Sequence, residues 1–176
     1  MKITTYFYSF LATLLVYSTT VSAQTLSISV GEADYDGIVD DTSITLAAAF
    51  PISESIALEV SYNDLGEVTA SEGGISMTLE ATSFDILIVG STPLNEKVNA
   101  FGKVGFSRWE LDASVTDGVI TESGSVDGTD PTFAAGLEMT LNEQLSGNLQ
   151  WQRIQAELDG EDIDVDKISL GLSWDL

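Results

Sequence analysis

Apolar residues at every second position, segment after segment, are the feature that most constrains this chain. Ile168, Leu170, Leu172, Trp174 and Leu176 alternate with Lys167, Ser169, Gly171, Ser173 and Asp175. The same period of two runs through Leu26–Val30, Ile44–Phe50, Ile56–Tyr62, Val98–Phe106, Phe133–Leu141 and Leu145–Trp151. A side-chain period of two is that of a β-strand, since successive Cβ atoms leave opposite faces. The segment Met77–Ile88 breaks the rule: Phe84, Ile86 and Ile88 share a face, while Met77, Leu79 and Ala81 fall in the other phase. A β-bulge, or a loop-borne extension, near Thr82–Ser83 is the expected cause. Eight strands result, of roughly 8 to 12 residues by the length usual for such segments.

The connections alternate in length. Ile52-Ser53-Glu54-Ser55-Ile56, Leu94-Asn95-Glu96-Lys97-Val98 and Leu141-Asn142-Glu143-Gln144-Leu145 repeat one short turn. Tyr35–Asp41, Asp64–Ile75, Asp112–Asp130 and Glu157–Asp166 read as longer acidic loops. Repeated tight turns make antiparallel hairpins, not an α/β fold. The residues opposite the apolar face are Ser, Gly, Ala and Thr, with scattered charges. Small side chains suit the narrow interior of a barrel, and the large apolar ones then face outward into lipid. The expected fold is an all-β, eight-stranded, antiparallel up-and-down transmembrane barrel. Phe50, Tyr62, Phe84, Phe106, Phe133, Trp151 and Trp174 lie near strand ends, where aromatic girdles sit.

Residues 1–23 read as a secretory signal peptide. Met1-Lys2 is the cationic start, Tyr6–Tyr17 the apolar run, and Val21-Ser22-Ala23 the cleavage motif. Residues 24–176 are then the barrel domain. With 28 acidic against 6 basic residues and a net charge of −22, nucleic acid is not an expected partner. The chain has no Cys and no His. That removes thiol chemistry, the Ser-His-Asp triad and the commonest metal ligand, so neither an enzyme nor a cofactor is expected.

The last third of the chain resembles a known family. Pro131-Thr132-Phe133-Ala134-Ala135-Gly136-Leu137-Glu138, followed by Leu149-Gln150-Trp151-Gln152, is similar to strands six and seven of the OmpA-like transmembrane domain. Ile168 to Leu176 resembles that family's closing strand and the C-terminal signal read by the barrel-assembly machinery. The departure is Leu176, where Phe is usual. OmpX-type small barrels are the nearer match in size, and no counterpart of OmpA's peptidoglycan-binding domain is expected. The resemblance implies residence in the outer membrane of a Gram-negative bacterium, as a monomer with a structural or surface role. The alternative is a minor porin or channel for small solutes.

Strand parity points Glu59, Asp85, Lys103, Glu138 and Lys167 into the lumen. Charges in a low-dielectric interior are expected to pair. The resemblance places Glu138 in such a network, with Lys103 as the candidate partner. It holds the barrel together in one reading and gates a pore in the other. Arg108 and Arg153 point outward near the outer rim, at the level of lipopolysaccharide phosphates, whose geometry suits guanidinium. The run Asp159-Gly160-Glu161-Asp162-Ile163-Asp164-Val165-Asp166 is dense in carboxylates. It lacks the sixth-position Gly and distal Glu of a calcium-binding EF-hand loop, so no metal site is assigned. A soluble periplasmic carrier of lipocalin type is the remaining contrast, separated by partitioning into the membrane fraction.

Overall fold

The computed structural model describes residues 25–35, 40–117, 120–158 and 161–176. The signal-peptide segment lies outside them, as does part of the 159–166 acidic run. The strands are β1 (Thr25–Tyr35), β2 (Asp40–Pro51), β3 (Ile56–Glu72), β4 (Ile75–Pro93), β5 (Val98–Thr116), β6 (Thr121–Thr140), β7 (Leu145–Leu158) and β8 (Glu161–Asp175). Each pairs antiparallel with the next, and β1 pairs with β8 from Thr25↔Asp175 to Tyr35↔Val165, closing the barrel. Closure gives every strand two partners, which lipid demands of a spanning sheet.

The apolar phase faces out. Leu170 is 63% exposed, and Leu26, Ile28, Val30, Ile44, Ile86, Val104, Leu137 and Leu149 are exposed with it. The opposite phase is buried and largely polar, including Ser61, Asn63, Ser83, Asp85, Ser107, Gln152 and Lys167. A water-soluble barrel has the reverse arrangement, so this exterior requires lipid.

The short turns are built alike, as their sequences predict. In each, two successive N–H groups donate to one carbonyl: Ile52 and Ser53 to Ile56, Leu94 and Asn95 to Val98, Leu141 and Asn142 to Leu145. Asn95 Oδ1 accepts from the N–H groups of Lys97 and Val98, and Asn142 Oδ1 from those of Gln144 and Leu145. An Asn side chain that caps its own turn fixes the hairpin register locally. These turns mark the inner end of the barrel.

At the outer end the structure corrects two expectations. Strands of 8 to 12 residues become strands of 11 to 20. Most of the segment read as loop over Asp64–Ile75 and Asp112–Asp130 is strand. β3 and β4 meet at a two-residue Gly73-Gly74 turn, both residues with positive φ. Hydroxyl pairs Thr69–Thr78, Ser71–Ser76 and Thr116–Thr121 link the extended hairpins across the strands. Acidic and Gly residues had masked the β-branched Val and Thr that favour extended backbone. Pro131 sits within β6 just before pairing with β7 begins at Thr132↔Ile154, where a missing N–H breaks no ladder bond to β7.

The second correction concerns the bulge. β4 pairs with β5 without interruption from Ser76 to Pro93, so Thr82–Ser83 is regular. The irregularity lies in β3, between Asp64 and Glu67. Gly66 takes φ 104°, and a Cβ there would fall 2.6 Å from Asp41 Oδ2. That Asp41 oxygen accepts the N–H of Glu67 at 2.7 Å and clasps the bulge from β2. Met77, Leu79 and Ala81 change phase because their surroundings change. Below them the outside of the barrel is lipid; at their level it is water, and the apolar side turns inward.

The face assignment has a direct test. Leu170→Arg, near the middle of the apolar band, is expected to cost about 2–4 kcal/mol in a refolding titration in lipid. The same substitution at Thr78, on the outer hairpin, is expected to cost under about 0.5 kcal/mol.

Candidate functional site: the lumen and the outer rim

Three layers fill the barrel interior. The innermost is a cavity of about 200 Å³, lined mainly by Ser, Thr, Asn and Gln side chains. Glu59 and Lys103 pair across its upper wall, with Lys103 Nζ donating to both carboxylate oxygens at 2.7 and 2.8 Å. The Phe101 ring lies 5.1 Å from the same ammonium.

Lys103 is thus paired with Glu59 on β3, not with Glu138. The register explains it. Lys103 stands opposite Ala134, whereas Glu138 stands opposite Asn99, four residues nearer the inner end. Glu138 lines the lower cavity.

The middle layer is a polar plug centred on Asp85, which is 0% exposed. Its Oδ1 accepts from Ser107 at 2.6 Å and Ser83 at 3.1 Å. Its Oδ2 accepts from Asn63 and Gln152, both at 2.8 Å, and from Ser61 at 3.4 Å. Lys167, 2% exposed, enters from β8 and donates to Thr45 Oγ1 and Asn63 Oδ1. Asn63 therefore stands between the buried cation and the buried anion. Its carbonyl faces Lys167 and its amide N–H faces Asp85, so the amide dipole is aligned with the field of both charges. Asn63, Thr45 and Gln152 were not singled out from the sequence. Their inward parity and polar type carried the only signal.

The outermost layer is apolar. Ala33, Leu65, Ala81, Trp109, Ile154 and Val165 form one buried cluster, with Leu111 packed against it. The β3 bulge places Leu65 within it. Trp109 Nε1 donates to Asp130 at 2.6 Å, and Gly128 makes room for the indole: a Cβ there would lie 2.5 Å from its Cζ2. This cap also went unread in the sequence, although all its members are inward-phase residues near the outer strand ends.

Outside, Arg153 lies over the Trp151 ring at 5.7 Å and is held by Asp166 and Asp164. Arg108 reaches Asp127 at 3.2 Å in an exposed pair. Both arginines point outward, as their parity predicts. Around them carboxylates stand abreast on neighbouring strands. One row is Asp64–Thr82–Glu110–Asp127, and the next is Glu67–Glu80–Asp112–Ser125. Glu80 stands on the hairpin beyond the apolar band. Partial burial, then Asp64, Asp112 and Glu67, raise its carboxyl above the usual range. Ile168, Leu170, Leu172 and Trp174 face outward on β8, and Leu176 follows the strand.

Two measurements test this geometry. A double-mutant cycle of Glu59→Gln with Lys103→Met is expected to give coupling of about 0.5–3 kcal/mol, and the cycle of Glu138→Gln with Lys103→Met a clearly smaller value. Glu80 ionises less readily in the folded chain, so its charge costs stability once pH exceeds the unfolded carboxyl pKa, and fully above the folded one. Glu80→Gln is expected to stabilise the protein by a fraction of a kcal/mol at neutral pH. The gain should vanish in acid, as pH-dependent refolding titrations would show.

The chain matches the model of the outer membrane protein beta-barrel domain over residues 10–175. No curated protein matches it. Solved structures share its fold. Ail of Yersinia pestis, crystallised with the heparin analogue sucrose octasulfate, is 16% identical, with a TM-score of 0.59 over 86% of this chain and 95% of that one. Neisserial surface protein A is 10% identical, with a TM-score of 0.62 over 86% and 95%. The N-terminal barrel of Pseudomonas aeruginosa OprF is 10% identical, with a TM-score of 0.58 over 87% and 98%. With an inside-out closed barrel and a family match across nearly its whole length, the chain belongs to the outer membrane β-barrel domain family, as a small barrel of the outer membrane.

Proposed function

We propose that this protein is a sealed barrel whose working part is its outer end, with a structural and surface role. The observation that carries the reading is the stack above the cavity. The Asp85–Asn63–Lys167 plug and the Trp109 cap both lie between the inner cavity and the outside. Hydrated ions crossing it would have to break buried hydrogen bonds and then wet an apolar constriction, and each step is costly. The inner cavity favours the second reading, a minor channel for small solutes, because it supplies half of a path. That reading needs both upper layers to move.

Other assignments follow the same line. Residues 1–23 direct secretion and are removed. Ile168, Leu170, Leu172, Trp174 and Leu176 are read by the barrel-assembly machinery. Arg108 and Arg153 meet lipopolysaccharide phosphates from the rim, in competition with Asp127, Asp164 and Asp166. The barrel works as a monomer without enzymatic activity, a reading supported by a sequence lacking His and Cys. Binding of a sulfated polyanion, such as the sucrose octasulfate in the Ail crystal, is not carried over: this rim is acidic and its arginines already sit on carboxylates.

Planar-bilayer recording tests the reading. The unmodified protein is expected to show no steady conductance, and a persistent open channel would favour the minor-channel reading. Asp85→Ala is expected to cost at least about 1–3 kcal/mol of stability, since several buried donors lose their acceptor. Its conductance should show brief openings at most while Trp109 and Leu65 keep the cap in place.

A further inference from the structure

Beyond the apolar band, β3 to β6 continue as a four-stranded sheet with unlike faces. One face carries the rows Ala70–Met77–Val115–Glu122 and Val68–Leu79–Ala113–Gly124, and below them Ala81–Leu111–Val126. The other carries Thr69–Thr78–Ser114–Ser123 and the carboxylate row of Glu67, Glu80 and Asp112. A sheet with one apolar face needs a second layer. The lowest row has one, because Ala81 and Leu111 join the cap over Ile154 and Val165. Among the described residues the upper rows have none: Met77 and Val115 are each 42% exposed, and Val126, at the β6 end of the lowest row, is 43% exposed. The apolar surface is thus continuous with a buried core and then runs out into water. A groove beside Ala70, Ser71, Ile75 and Met77 extends it toward the hairpin tip.

We propose that this face docks a cationic amphipathic α-helix. A helix laid on the sheet supplies the missing layer, with its apolar stripe over Met77, Leu79, Ala113 and Val115. The charge of the partner follows from the surroundings. Glu122 stands in the top apolar row, Asp64, Glu67, Glu80, Glu110 and Asp112 crowd the reverse face, and Arg108 is engaged by Asp127. Such a field steers basic segments in and repels acidic ones, including a second copy of a chain with net charge −22. The inference holds whether or not the lumen conducts, so bilayer recordings and the experiment below fail independently.

The test uses the full barrel folded in zwitterionic nanodiscs, with empty nanodiscs as the blank. The probe is a labelled synthetic Leu/Lys helix, compared by anisotropy with a scrambled isomer of equal charge and no apolar stripe. Saturable one-to-one binding is expected, about tenfold or more tighter than for the isomer and weakening with salt. Met77→Asp with Val115→Asp is expected to lose about tenfold or more in affinity while the barrel keeps its heat-modifiable gel shift. Should that variant fail to fold, Met77→Ser with Val115→Thr gives a smaller loss in the same direction. Equal binding of the scrambled isomer would overturn the proposal by leaving only acidic attraction. Unchanged binding by the variants would overturn it too. So would sedimentation showing that the unmodified protein dimerises through this face, with the dimer lost in the variants.

Discussion

A closed sheet in lipid gives each strand two solvents that never mix. Outside the barrel there is nothing to hydrogen-bond, so the backbone must be satisfied between strands and the outward side chains must be apolar. Inside, eight strands leave room for side chains and little else. Any charge that enters this space must find its partners there. The rest of the molecule follows from that narrow lumen. Its walls are Ser, Ala, Thr and Gly wherever a long side chain from another strand has to cross. Lys167 reaches from β8 to Thr45 on β2 and Asn63 on β3 because the wall between is low, with Gly31 and Ser169 among its residues.

The solvent outside also changes along each strand, and the chain answers it in two ways. β4 changes the phase of its apolar residues in the sequence itself, from Phe84, Ile86 and Ile88 facing lipid to Met77, Leu79 and Ala81 facing inward. Its partner β3 keeps Leu58, Val60, Val68 and Ala70 in one numerical phase and inserts a residue instead. The extra residue at Leu65–Gly66 turns Val68 and Ala70 inward, opposite Leu79 and Met77. One strand is rewritten and the other is shifted, and both present the same face above the membrane. The clasp from Asp41 matters because it holds that shift in place.

This explains what could be read from residues alone. The strand phases from Leu26 to Leu176, the repeated inner turns and the inward parity of Glu59, Asp85, Lys103, Glu138 and Lys167 were legible because they depend on a local period of two. The bulge was placed on the wrong strand because a phase change reads the same whether chain geometry or environment causes it. The outer hairpins read as loops because carboxylates and glycines are usual loop residues, and only the register shows Thr69 facing Thr78 and Thr116 facing Thr121. The partner of Lys103 was misjudged for a related reason. Sequential strands were expected to supply it, but a side chain in a narrow lumen reaches across the barrel, from β5 to β3.

The two lumen cations are compensated differently. Lys103, beside the cavity and within reach of water, makes a direct bidentate pair with Glu59. Lys167, sealed within the plug, makes none among the described residues, and Asn63 separates it from Asp85. A direct pair in that dry layer would satisfy one face of each ion and leave the remaining donors and lone pairs uncompensated. The amide joins both ions and lets Asp85 gather donors from β3, β4, β5 and β7 at once. Each of those strands is therefore tied to one carboxylate. Opening the lumen at this level means breaking bonds from Asp85 on β4 to three other strands together, whereas opening it beside Lys103 breaks one pair. The plug is thus the more tightly tied level of the lumen, and the inner cavity the more loosely tied one.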